Sequence, residues 1–341
     1  MKVLQVLASW GQGGLEKHVL DLAASLAHEH EVHVIVDERL APRFSSSVFV
    51  HPVDFTRSRW SPRLWLQLFL LIHHIKPDVI HAQANKAVAL MAVIKRIFGK
   101  IPMVGTLHNQ KRRRRLFRQM DYVIAVSPGL VSVGDFSRWR AIYNGIQPSI
   151  SGDCVKKAVL LTETVLDPEK PVLLSVGRLV EAKGFDILID AAAMAGVQVA
   201  IVGDGPLRHQ LAHQITEKRA PVALLGYRQD VPQLMRAFDG FVLSSRREGF
   251  AYVVVEALHA KMPMVATNIP MMAGLVPPIW QVDVESVASL ASAMKMAVAD
   301  LPAWRTAMEP SFAMAERELT LEAMTRETLN IYEMLMKGAF Q

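Results

Sequence analysis

The chain has 341 residues, of which 51% are apolar, a size and composition that predict two packed domains rather than one. Its single cysteine, Cys154, excludes an intrachain disulfide and a zinc site built from cysteines. The net charge of +6 is unevenly spread, because residues 1–150 carry 20 Lys/Arg against 10 Asp/Glu, whereas residues 151–341 carry 18 against 22.

The N-terminal residues predict a buried strand followed by a turn. The short apolar run Met1–Trp10 continues into Gly11-Gln12-Gly13-Gly14, without the long apolar region and cleavage site of a signal peptide. No uninterrupted apolar run reaches the roughly 18 to 20 residues that span a bilayer. We therefore expect a cytoplasmic protein that meets a membrane only peripherally, at the inner face of the cytoplasmic membrane.

Short apolar runs alternate with amphipathic stretches along the chain, a pattern typical of parallel strands and the helices between them. The predicted strands of the first half are Val3–Leu7, Glu31–Val36, Val79–His81, Met103–Leu107 and Tyr122–Val126. Those of the second half are Pro171–Val176, Val197–Val202, Val222–Leu225, Gly240–Leu243 and Met264–Thr267. The predicted helices include Leu15–His28, Trp65–Ile75, Asp186–Met194 and Leu319–Met336.

This alternation predicts an α/β protein with two doubly wound Rossmann-like domains that face a cleft. Residues 1–150 form the first domain and residues 151–318 the second, with a link that starts near Asn144–Pro148. Residues 319–341 are predicted to form a C-terminal helix that packs back toward the first domain. The carboxyl ends of the strands should line the cleft, where open α/β sheets bind ligands.

Two glycine-containing turns follow predicted strands. In Gly11–Glu16, Gly13 and Gly14 open a helix, whose free N–H groups and dipole can bind a phosphate, although the spacing is not the dinucleotide fingerprint. Gly203, in Gly203-Asp204-Gly205-Pro206, has a similar position in the second domain. Either turn can equally be a tight connection without a ligand.

Arg178 and Lys183 are the candidate anion ligands of the second domain. Both follow the strand Pro171–Val176, in Gly177-Arg178-Leu179 and Lys183-Gly184, and therefore lie at the carboxyl end of the predicted sheet. Two fixed cations there can neutralise a leaving diphosphate without a metal. Taken alone, two solvated surface charges are the more common outcome for such residues.

Two glutamates separated by seven residues give the most specific signal. Glu248 follows the strand Gly240–Leu243, and Glu256 lies one turn inside a helix predicted to begin near Tyr252. The amides of residues 249–253 can bind an anion at that helix N-terminus, while the glutamates bind hydroxyl groups on either side of it. The alternative is a pair of ordinary surface glutamates.

Together, these segments resemble the retaining glycosyltransferases of the GT-B fold that carry an E-x7-E motif, family 4 in the usual classification. The resemblance covers nearly the whole chain and rests on motifs that occur in order and at matching spacing. These motifs are Gly13-Gly14-Leu15-Glu16, Asn144-Gly145-Ile146, Gly177-Arg178-Leu179 with Lys183-Gly184, Gly203-Asp204-Gly205-Pro206, Leu225-Gly226-Tyr227, and Glu248 to Glu256.

The resemblance implies a role for each matching residue. The implied catalytic residues are His108 near the sugar, Arg178 and Lys183 at the diphosphate, and Glu248 at the transferred sugar. The residues implied to bind the nucleotide sugar are Gly13, Gly14, Gly203, Tyr227, Arg228, Gly249, Phe250, Ala251 and Glu256. Within that set, Glu256 is implied to hold the ribose hydroxyls, and Tyr227 with Arg228 to border the base.

The resemblance also implies an activity, namely retaining transfer of a hexose from a nucleotide diphosphate sugar, with UDP favoured, to a glycan or glycolipid. The implied acceptor is a lipopolysaccharide core or a related cell-surface glycan, bound on the side of the first domain. A phosphate oxygen of the donor helps to deprotonate the acceptor, so no strong protein nucleophile is needed. We expect neither a metal nor another cofactor.

Two positions depart from the family pattern. Phe250-Ala251-Tyr252-Val253 stands where the family usually has Gly-Phe-Gly followed by a proline, which places a bulky Tyr252 beside the sugar site and leaves the choice of sugar open. Gln147 stands where an aspartate is common.

A basic run follows His108 and consists of Lys111, Arg112, Arg113, Arg114 and Arg115, with Arg118 after it. We interpret this run as a binding site for an anionic membrane surface or for the phosphates of a lipid-linked acceptor. Each basic residue near such a surface contributes about 1 kcal/mol of binding free energy. Apolar residues that can add an interfacial face are Trp60, Trp65, Leu66 and Phe69. The alternative is a solvated loop, and nucleic acid is not expected because no nucleic-acid module accompanies the run.

Three other functions remain open at this point. A nucleotide-sugar epimerase on the same fold is disfavoured by the combination of the arginine–lysine segment with the two glutamates. A phosphorylase-like enzyme is disfavoured because no lysine motif for a pyridoxal cofactor is found. A non-catalytic nucleotide-sugar-binding protein is disfavoured by the presence of Arg178, Lys183 and Glu256.

Overall fold

The computed structural model describes residues 1–11, 13–58, 61–109, 114–132, 134–148 and 156–338, without the side chain of Arg114. The strands are β1 (Lys2–Leu7), β2 (Glu31–Asp37), β3 (Phe49–Val53), β4 (Val79–Gln83), β5 (Met103–Leu107), β6 (Tyr122–Ala125), β7 (Trp139–Ala141), β8 (Val172–Val176), β9 (Gln198–Val202), β10 (Val222–Leu224), β11 (Gly240–Leu243), β12 (Met264–Thr267) and β13 (Gln281–Val282). The α-helices are α1 (Gly14–Leu26), α2 (Pro62–Ile75), α3 (Ala84–Ile94), α4 (Lys157–Leu161), α5 (Phe185–Ala195), α6 (Arg208–Lys218), α7 (Val231–Ala237), α8 (Tyr252–His259), α9 (Val287–Ala299), α10 (Leu301–Ala307), α11 (Glu309–Glu318) and α12 (Leu321–Met336). Short 3₁₀ helices span Ala41–Arg43, Arg114–Gln119, Pro128–Leu130, Glu181–Lys183, Pro270–Met272 and Pro278–Trp280.

The chain forms two compact units, one of residues 1–147 with 318–341 and the other of residues 148–317. The sheet of the first unit has seven parallel strands within the described residues, in the order β3-β2-β1-β4-β5-β6-β7. The winding direction changes between β1 and β4. Right-handed crossovers therefore place helices on both faces of this sheet, and ligands are expected at the carboxyl ends of these two strands.

One face of the first sheet packs against α1 and the C-terminal helix α12. Val3, Val79 and Val104, from β1, β4 and β5, belong to the same buried apolar cluster as Leu22 of α1 and Ile331 of α12. Since side chains alternate between the faces of a strand, every second residue of these three strands points toward this cluster.

A backbone crossing brings the C-terminal segment into the first unit. The N–H of Ile146 donates to the Leu319 carbonyl over 3.0 Å, and its carbonyl accepts from the N–H of Leu321 over 2.9 Å. A Cβ on Gly145 would lie 2.0 Å from the carbonyl oxygen of Thr320. Only glycine at position 145 permits this approach, which explains its place in the Asn144-Gly145-Ile146 motif.

The second unit contains a six-stranded parallel sheet within the described residues, in the order β10-β9-β8-β11-β12-β13. Its winding changes between β8 and β11, so the loops after these strands lie at the position where such sheets bind ligands. Gly203, after β9, has φ +143°, and a Cβ there would lie 1.9 Å from the carbonyl oxygen of Gly177 after β8. The backbones of these two loops are therefore in direct contact.

The predicted fold class, two Rossmann-like parallel sheets with helices, is confirmed. The prediction of five strands in each half was too low, because β3, β7 and β13 were missed. All three lie at a sheet edge. β3 contains Pro52, which cannot donate to a ladder, and β7 and β13 have three and two residues, too few to show a period.

Candidate active site

Glu16 organises the glycine-rich turn between β1 and α1. Its buried carboxylate accepts hydrogen bonds from the N–H groups of Gly11 and Gly13, each over 3.0 Å, and from the Ser9 hydroxyl. Gly13 is the N-cap of α1, and Gly14 is the first residue of the helix. The carboxylate thus fixes the turn and already occupies the Gly13 N–H, one of the donors that a phosphate at this helix terminus would use.

His108 lies directly after β5 and is buried, with 7% of its surface exposed. Its Nε2 lies 2.9 Å from Oε1 of Gln83, the last residue of β4. Its ring meets the ring of His18, on α1, edge-on with 4.8 Å between centroids. Burial, followed by the proximity of His18 and His81, holds the pKa of His108 well below its ordinary value, so the ring is neutral.

A chain of buried polar side chains continues from Gln83 into the core. Gln83 Nε2 donates to Gln5 Oε1 over 3.3 Å and lies 3.4 Å from both ring nitrogens of His81. The ring of His81 lies between two hydroxyls, at 2.5 Å from Tyr332 on the Nδ1 side and 2.5 Å from Thr106 on the Nε2 side. Burial lowers the pKa of His81 to about 3 and raises the pKa of Tyr332. This series of hydrogen-bonded side chains is therefore uncharged at neutral pH.

His18 is buried, and neither of its ring nitrogens has a hydrogen bond to a described residue. Burial lowers the pKa of His18 to about 4, an effect that the nearby Asn144 side chain partly offsets. The Oδ1 atom of Asn144 is likewise buried without a partner among the described residues. Unpaired buried polar groups such as these are a cost that a folded core normally avoids.

Lys183 and Glu248 form an ion pair at the carboxyl edge of the second sheet. Nζ lies 2.5 Å from Oε1, and the side chains are only 20% and 12% exposed. The Ser245 hydroxyl donates to the same carboxylate oxygen over 2.8 Å. The structure thus brings together two predicted site residues that lie 65 positions apart, one in the loop after β8 and the other in the loop after β11.

The loops after β8 and β11 are joined by further contacts. The Ser244 hydroxyl donates to the Lys183 carbonyl over 2.9 Å, and the N–H of Arg246 donates to the Ala182 carbonyl over 2.9 Å. Gly184, at φ +63°, approaches so closely that a Cβ would lie 2.2 Å from the Ser244 carbonyl oxygen. These contacts fix the backbone on both sides of the Lys183–Glu248 pair.

Arg246 is a structural residue of this site that sequence reasoning missed. Its guanidinium donates to both carboxylate oxygens of Asp186, over 2.8 and 2.7 Å, to Glu285 over 2.8 Å and to the Glu181 carbonyl over 2.8 Å. The hydrogen bonds from Arg246 hold the pKa of Asp186 below its ordinary value, and those to Asp186 and Glu285 raise the pKa of Arg246. The positive charge of Arg246 is therefore balanced by the carboxylates of Asp186 and Glu285. By contrast, Arg178 is exposed and forms no ion pair with a described residue.

The helix that carries Glu256 begins at Tyr252, with Ala251 as its N-cap. The N–H of Ala251 donates to Sδ of Met271 over 2.9 Å in a buried environment. A thioether is a weak acceptor, so an anion can compete for this N–H. The rings of Phe250 and Tyr252 meet edge-on with 5.5 Å between centroids. Gly249 and Glu256 are partly buried on either side of the helix start.

The loop predicted to border the base follows β10. Tyr227 is 72% exposed there, after Gly226 with φ +73°. Arg228 donates to both carboxylate oxygens of Asp230, over 2.8 and 2.6 Å, and these hydrogen bonds lower the pKa of Asp230. The Tyr227 ring is available to stack on a planar ligand, whereas the Arg228 guanidinium is paired with the Asp230 carboxylate.

Most of the basic run lies outside the described residues, namely Lys111, Arg112 and Arg113, together with the side chain of Arg114; Trp60 also lies outside them. Arg115 is exposed. Leu66 is 59% exposed on α2, whereas Trp65 and Phe69 are partly buried. In the part of the chain that the structure describes, no helix is long and apolar enough to cross a membrane, and no cluster of three His, Cys, Asp or Glu side chains is arranged to hold a metal.

Two family models match the chain, Glycosyltransferase Family 4 over residues 12–149 and Glycosyl transferases group 1 over residues 160–300. Residues 12–149 and residues 160–300 are therefore similar in sequence to two glycosyltransferase domains. The family 4 domain carries the glycine-rich turn and His108, and the group 1 domain carries Arg178 and the Lys183–Glu248 pair.

Proteins similar to this chain include enzymes named for bacterial lipopolysaccharide core synthesis. The "Lipopolysaccharide core biosynthesis glycosyltransferase LpsE" of Rhizobium meliloti is 32% identical over 196 residues. That match covers 57% of this chain and 56% of LpsE, so the chain spans little more than half the length of this relative. The "Lipopolysaccharide core biosynthesis mannosyltransferase LpsB" of the same organism is 26% identical over 287 residues, which cover 76% of this chain and 80% of LpsB.

Solved structures share the fold over almost the entire chain. The crystal structure of Anabaena Alr3699/HepE in complex with UDP has a TM-score of 0.83 at 23% identity, covering 98% of this chain and 100% of that chain. The apo form of the lipopolysaccharide outer core galactosyltransferase WaaB has a TM-score of 0.77 at 16% identity, covering 97% of this chain and 98% of that chain. These likenesses establish the GT-B fold.

Proposed function

We propose that this protein is a retaining glycosyltransferase that transfers a hexose from a UDP-sugar to a lipopolysaccharide core or a related lipid-linked glycan. The observation that carries the proposal is the Lys183–Glu248 pair at the carboxyl edge of the sheet in the group 1 domain, where the exposed Arg178 follows the same strand, β8, as Lys183. Two cations and one carboxylate at a topological switch point suit a ligand with a diphosphate and adjacent hydroxyl groups.

In this proposal, donor binding rearranges the ion pair. The diphosphate draws Lys183 toward itself, and Arg178 supplies a second positive charge. Glu248, released from Lys183, then accepts a hydrogen bond from a hydroxyl of the transferred sugar. Both cations stabilise the charge that develops on the leaving diphosphate, so the reaction needs no metal. A donor phosphate oxygen takes the acceptor proton on the face from which the sugar leaves, and the anomeric configuration is retained.

Two considerations support a UDP-hexose donor. Anabaena HepE has been crystallised with UDP and with UDP-glucose, and its chain has the same fold. Tyr227 offers an exposed ring of the size that can stack on a uracil. The mannosyltransferase LpsB is a reason to include GDP-mannose among the competing donors.

A donor panel tests this proposal. Purified protein is incubated with UDP-glucose, UDP-galactose, UDP-N-acetylglucosamine or GDP-mannose, with and without a lipopolysaccharide-core acceptor, in the presence of EDTA. We expect release of UDP from one UDP-hexose in EDTA and an α-linked product by NMR. A β-linked product would contradict retention, loss of turnover in EDTA would contradict a metal-free mechanism, and a panel in which no donor binds or is consumed would overturn the transferase proposal.

We further propose that the protein acts at an anionic membrane surface, as a peripheral protein of the inner face of the cytoplasmic membrane. Residues 57–120 carry 14 Lys/Arg and one acidic residue, Asp78. On α2 within this segment, Leu66 and Leu70 are exposed by 59% and 54%, one helical turn apart. Exposed leucines beside a strong excess of cations suit a phosphate-rich interface with acyl chains beneath it.

Liposome flotation tests the membrane proposal. We expect the wild type to float with vesicles that contain anionic lipid and not with purely zwitterionic vesicles. Neutralising Lys111–Arg115 to glutamine, or replacing Leu66 and Leu70 by serine, should reduce flotation. The matched control replaces Met194 and Ile279, which are exposed to a similar degree in the second unit, by serine. Equal flotation of all variants would overturn the proposal.

A further inference from the structure

The polar chain behind His108 lies on a sheet face that is otherwise apolar. His81 and Gln83 alternate along β4 with residues of the opposite face, and Thr106 and His108 do the same at the end of β5. The same registers place Val79 and Val104 in the core cluster under α1 and α12. Four polar side chains thus replace apolar ones along two neighbouring strands, near the carboxyl edge where His108 is placed.

The strand register makes these side chains neighbours. Gln83 pairs with Thr106 across β4 and β5, and Gln5 pairs with His81 across β1 and β4. Gln5, His81 and Thr106 are fully buried, and Gln83 is 1% exposed. Burying polar groups is unfavourable unless they bond to each other, and removing both members of such a pair is often neutral for stability. Stability alone therefore does not explain this series of buried polar side chains.

The direction of the hydrogen bonds, from His108 to Gln83 and from Gln83 to Gln5, explains these polar side chains better. Gln83 Oε1 can only accept, so the proton of the neutral His108 ring resides on Nε2, at 2.9 Å from that oxygen. Gln83 Nε2 is oriented by Gln5 at 3.3 Å, and His81 beneath it is held between Thr106 and Tyr332. Nδ1 of His108 is then the acceptor, and no described residue hydrogen-bonds to it.

We propose that Gln83 is a positioning residue for His108, held in place by Gln5, His81, Thr106 and Tyr332, and that it presents Nδ1 as a hydrogen-bond acceptor to a hydroxyl group of the bound substrate. This inference rests on the proposed function, in which a sugar hydroxyl is that donor. It also gives α12 a role in the site, because Tyr332 reaches His81 from the C-terminal helix across 251 positions of sequence.

Two substitutions at position 83 separate orientation from packing. Gln83→Met keeps the volume but removes the acceptor, so we expect a mixture of His108 tautomers and a kcat/KM lower by about 10-fold. Gln83→Glu keeps an acceptor for Nε2–H, so at high pH it should retain near wild-type kcat/KM. The carboxylate raises the pKa of His108, and kcat/KM should then fall as the pH drops and Nδ1 becomes protonated. The other titratable groups that face His108 are His18 on α1 and His81 on β4.

The tautomer is read from ¹⁵N NMR of the histidine rings in the full chain, together with pH–rate profiles. The matched control is Gln198→Met, which removes a buried strand glutamine that bonds the Asp167 backbone over 2.6 and 2.9 Å in the second unit. It should leave the His108 signals and the pH profile unchanged. The inference is wrong if Gln83→Met keeps the wild-type tautomer and kcat/KM, or if Gln83→Glu has the wild-type pH profile. The NMR readout needs no activity, so it decides this inference even if the transferase proposal fails.

Discussion

Lys183 Nζ lies 2.5 Å from Glu248 Oε1, and this contact joins the loop after β8 to the loop after β11. Both side chains are largely shielded from water, so removing either one would leave the other without its ion-pair partner. The carboxylate therefore holds the lysine at the site where we propose that the donor diphosphate binds. An anionic ligand can replace Glu248 as the partner of Lys183 without moving the backbone, because the Ser244 and Arg246 contacts fix both loops.

Replacing Lys183 by alanine should lower kcat/KM for the donor by about 10² to 10³-fold, because one fixed positive charge at the leaving group is lost. It should also lower stability, since Glu248 is left without its cation. Steady-state kinetics and thermal unfolding of the same variant measure the two effects. The control is Lys170→Ala, which removes a 70% exposed lysine of the same unit. Unchanged turnover of Lys183→Ala would remove this residue from the diphosphate site.

Replacing Gly203 by alanine should destabilise the group 1 domain by more than about 2 kcal/mol, because the new Cβ would lie 1.9 Å from the Gly177 carbonyl oxygen. The control is Gly196→Ala, also at positive φ but with open space around the new Cβ, which should cost only about 1 kcal/mol. Urea unfolding measures the difference between the two variants. Equal losses would mean that the backbones of the loops after β8 and β9 are not in close contact.

Much of this site could be predicted because its residues follow apolar strands. A parallel strand ends at the ligand-binding edge of its sheet, so Arg178, Lys183, Gly203 and Glu248 could be placed there from sequence alone. The same reasoning placed His108 after β5. What these residues have in common is a local signal, an apolar run followed by a turn.

The parts that could not be predicted depend on contacts between distant segments. Arg246 looks like one of two exposed arginines in sequence, and only the fold brings it to Asp186, 60 positions away. The pairing of His81 with Tyr332 joins a strand to the C-terminal helix in the same way. Edge strands such as β13 were missed for a different reason, since two residues carry no measurable period.

Replacing Glu16 by glutamine should loosen the glycine-rich turn. The N–H groups of Gly11 and Gly13 each donate to one oxygen of the Glu16 carboxylate. In the glutamine variant one of these oxygens becomes an NH₂ group, which cannot accept, so one of the two backbone N–H groups loses its acceptor. We expect a loss of about 1 to 3 kcal/mol in the free energy of unfolding. Glu29→Gln, at an exposed glutamate just after the same helix, is the control and should have little effect. If both variants unfold at the same urea concentration as the wild type, Glu16 does not hold the turn.

Replacing His18 by leucine should stabilise the protein, and increasingly so in mild acid. Burial lowers the pKa of His18 to about 4, whereas the unfolded chain binds its proton near the ordinary value of about 6.5. Between these values the unfolded state holds more protons, so this histidine costs the wild type about 1.4 kcal/mol of stability for each unit that the pH falls. Leucine removes both that cost and the two buried ring nitrogens that lack partners among the described residues.

Urea unfolding at pH 7 and pH 5 measures the effect. The stability of His18→Leu relative to the wild type should be greater at pH 5 than at pH 7 by about 2 kcal/mol. His213→Leu is the control, because the side chain of His213 is 81% exposed on α6 and should show no such gain. A His18→Leu variant with the same pH dependence as the wild type would mean that His18 titrates normally in the folded protein.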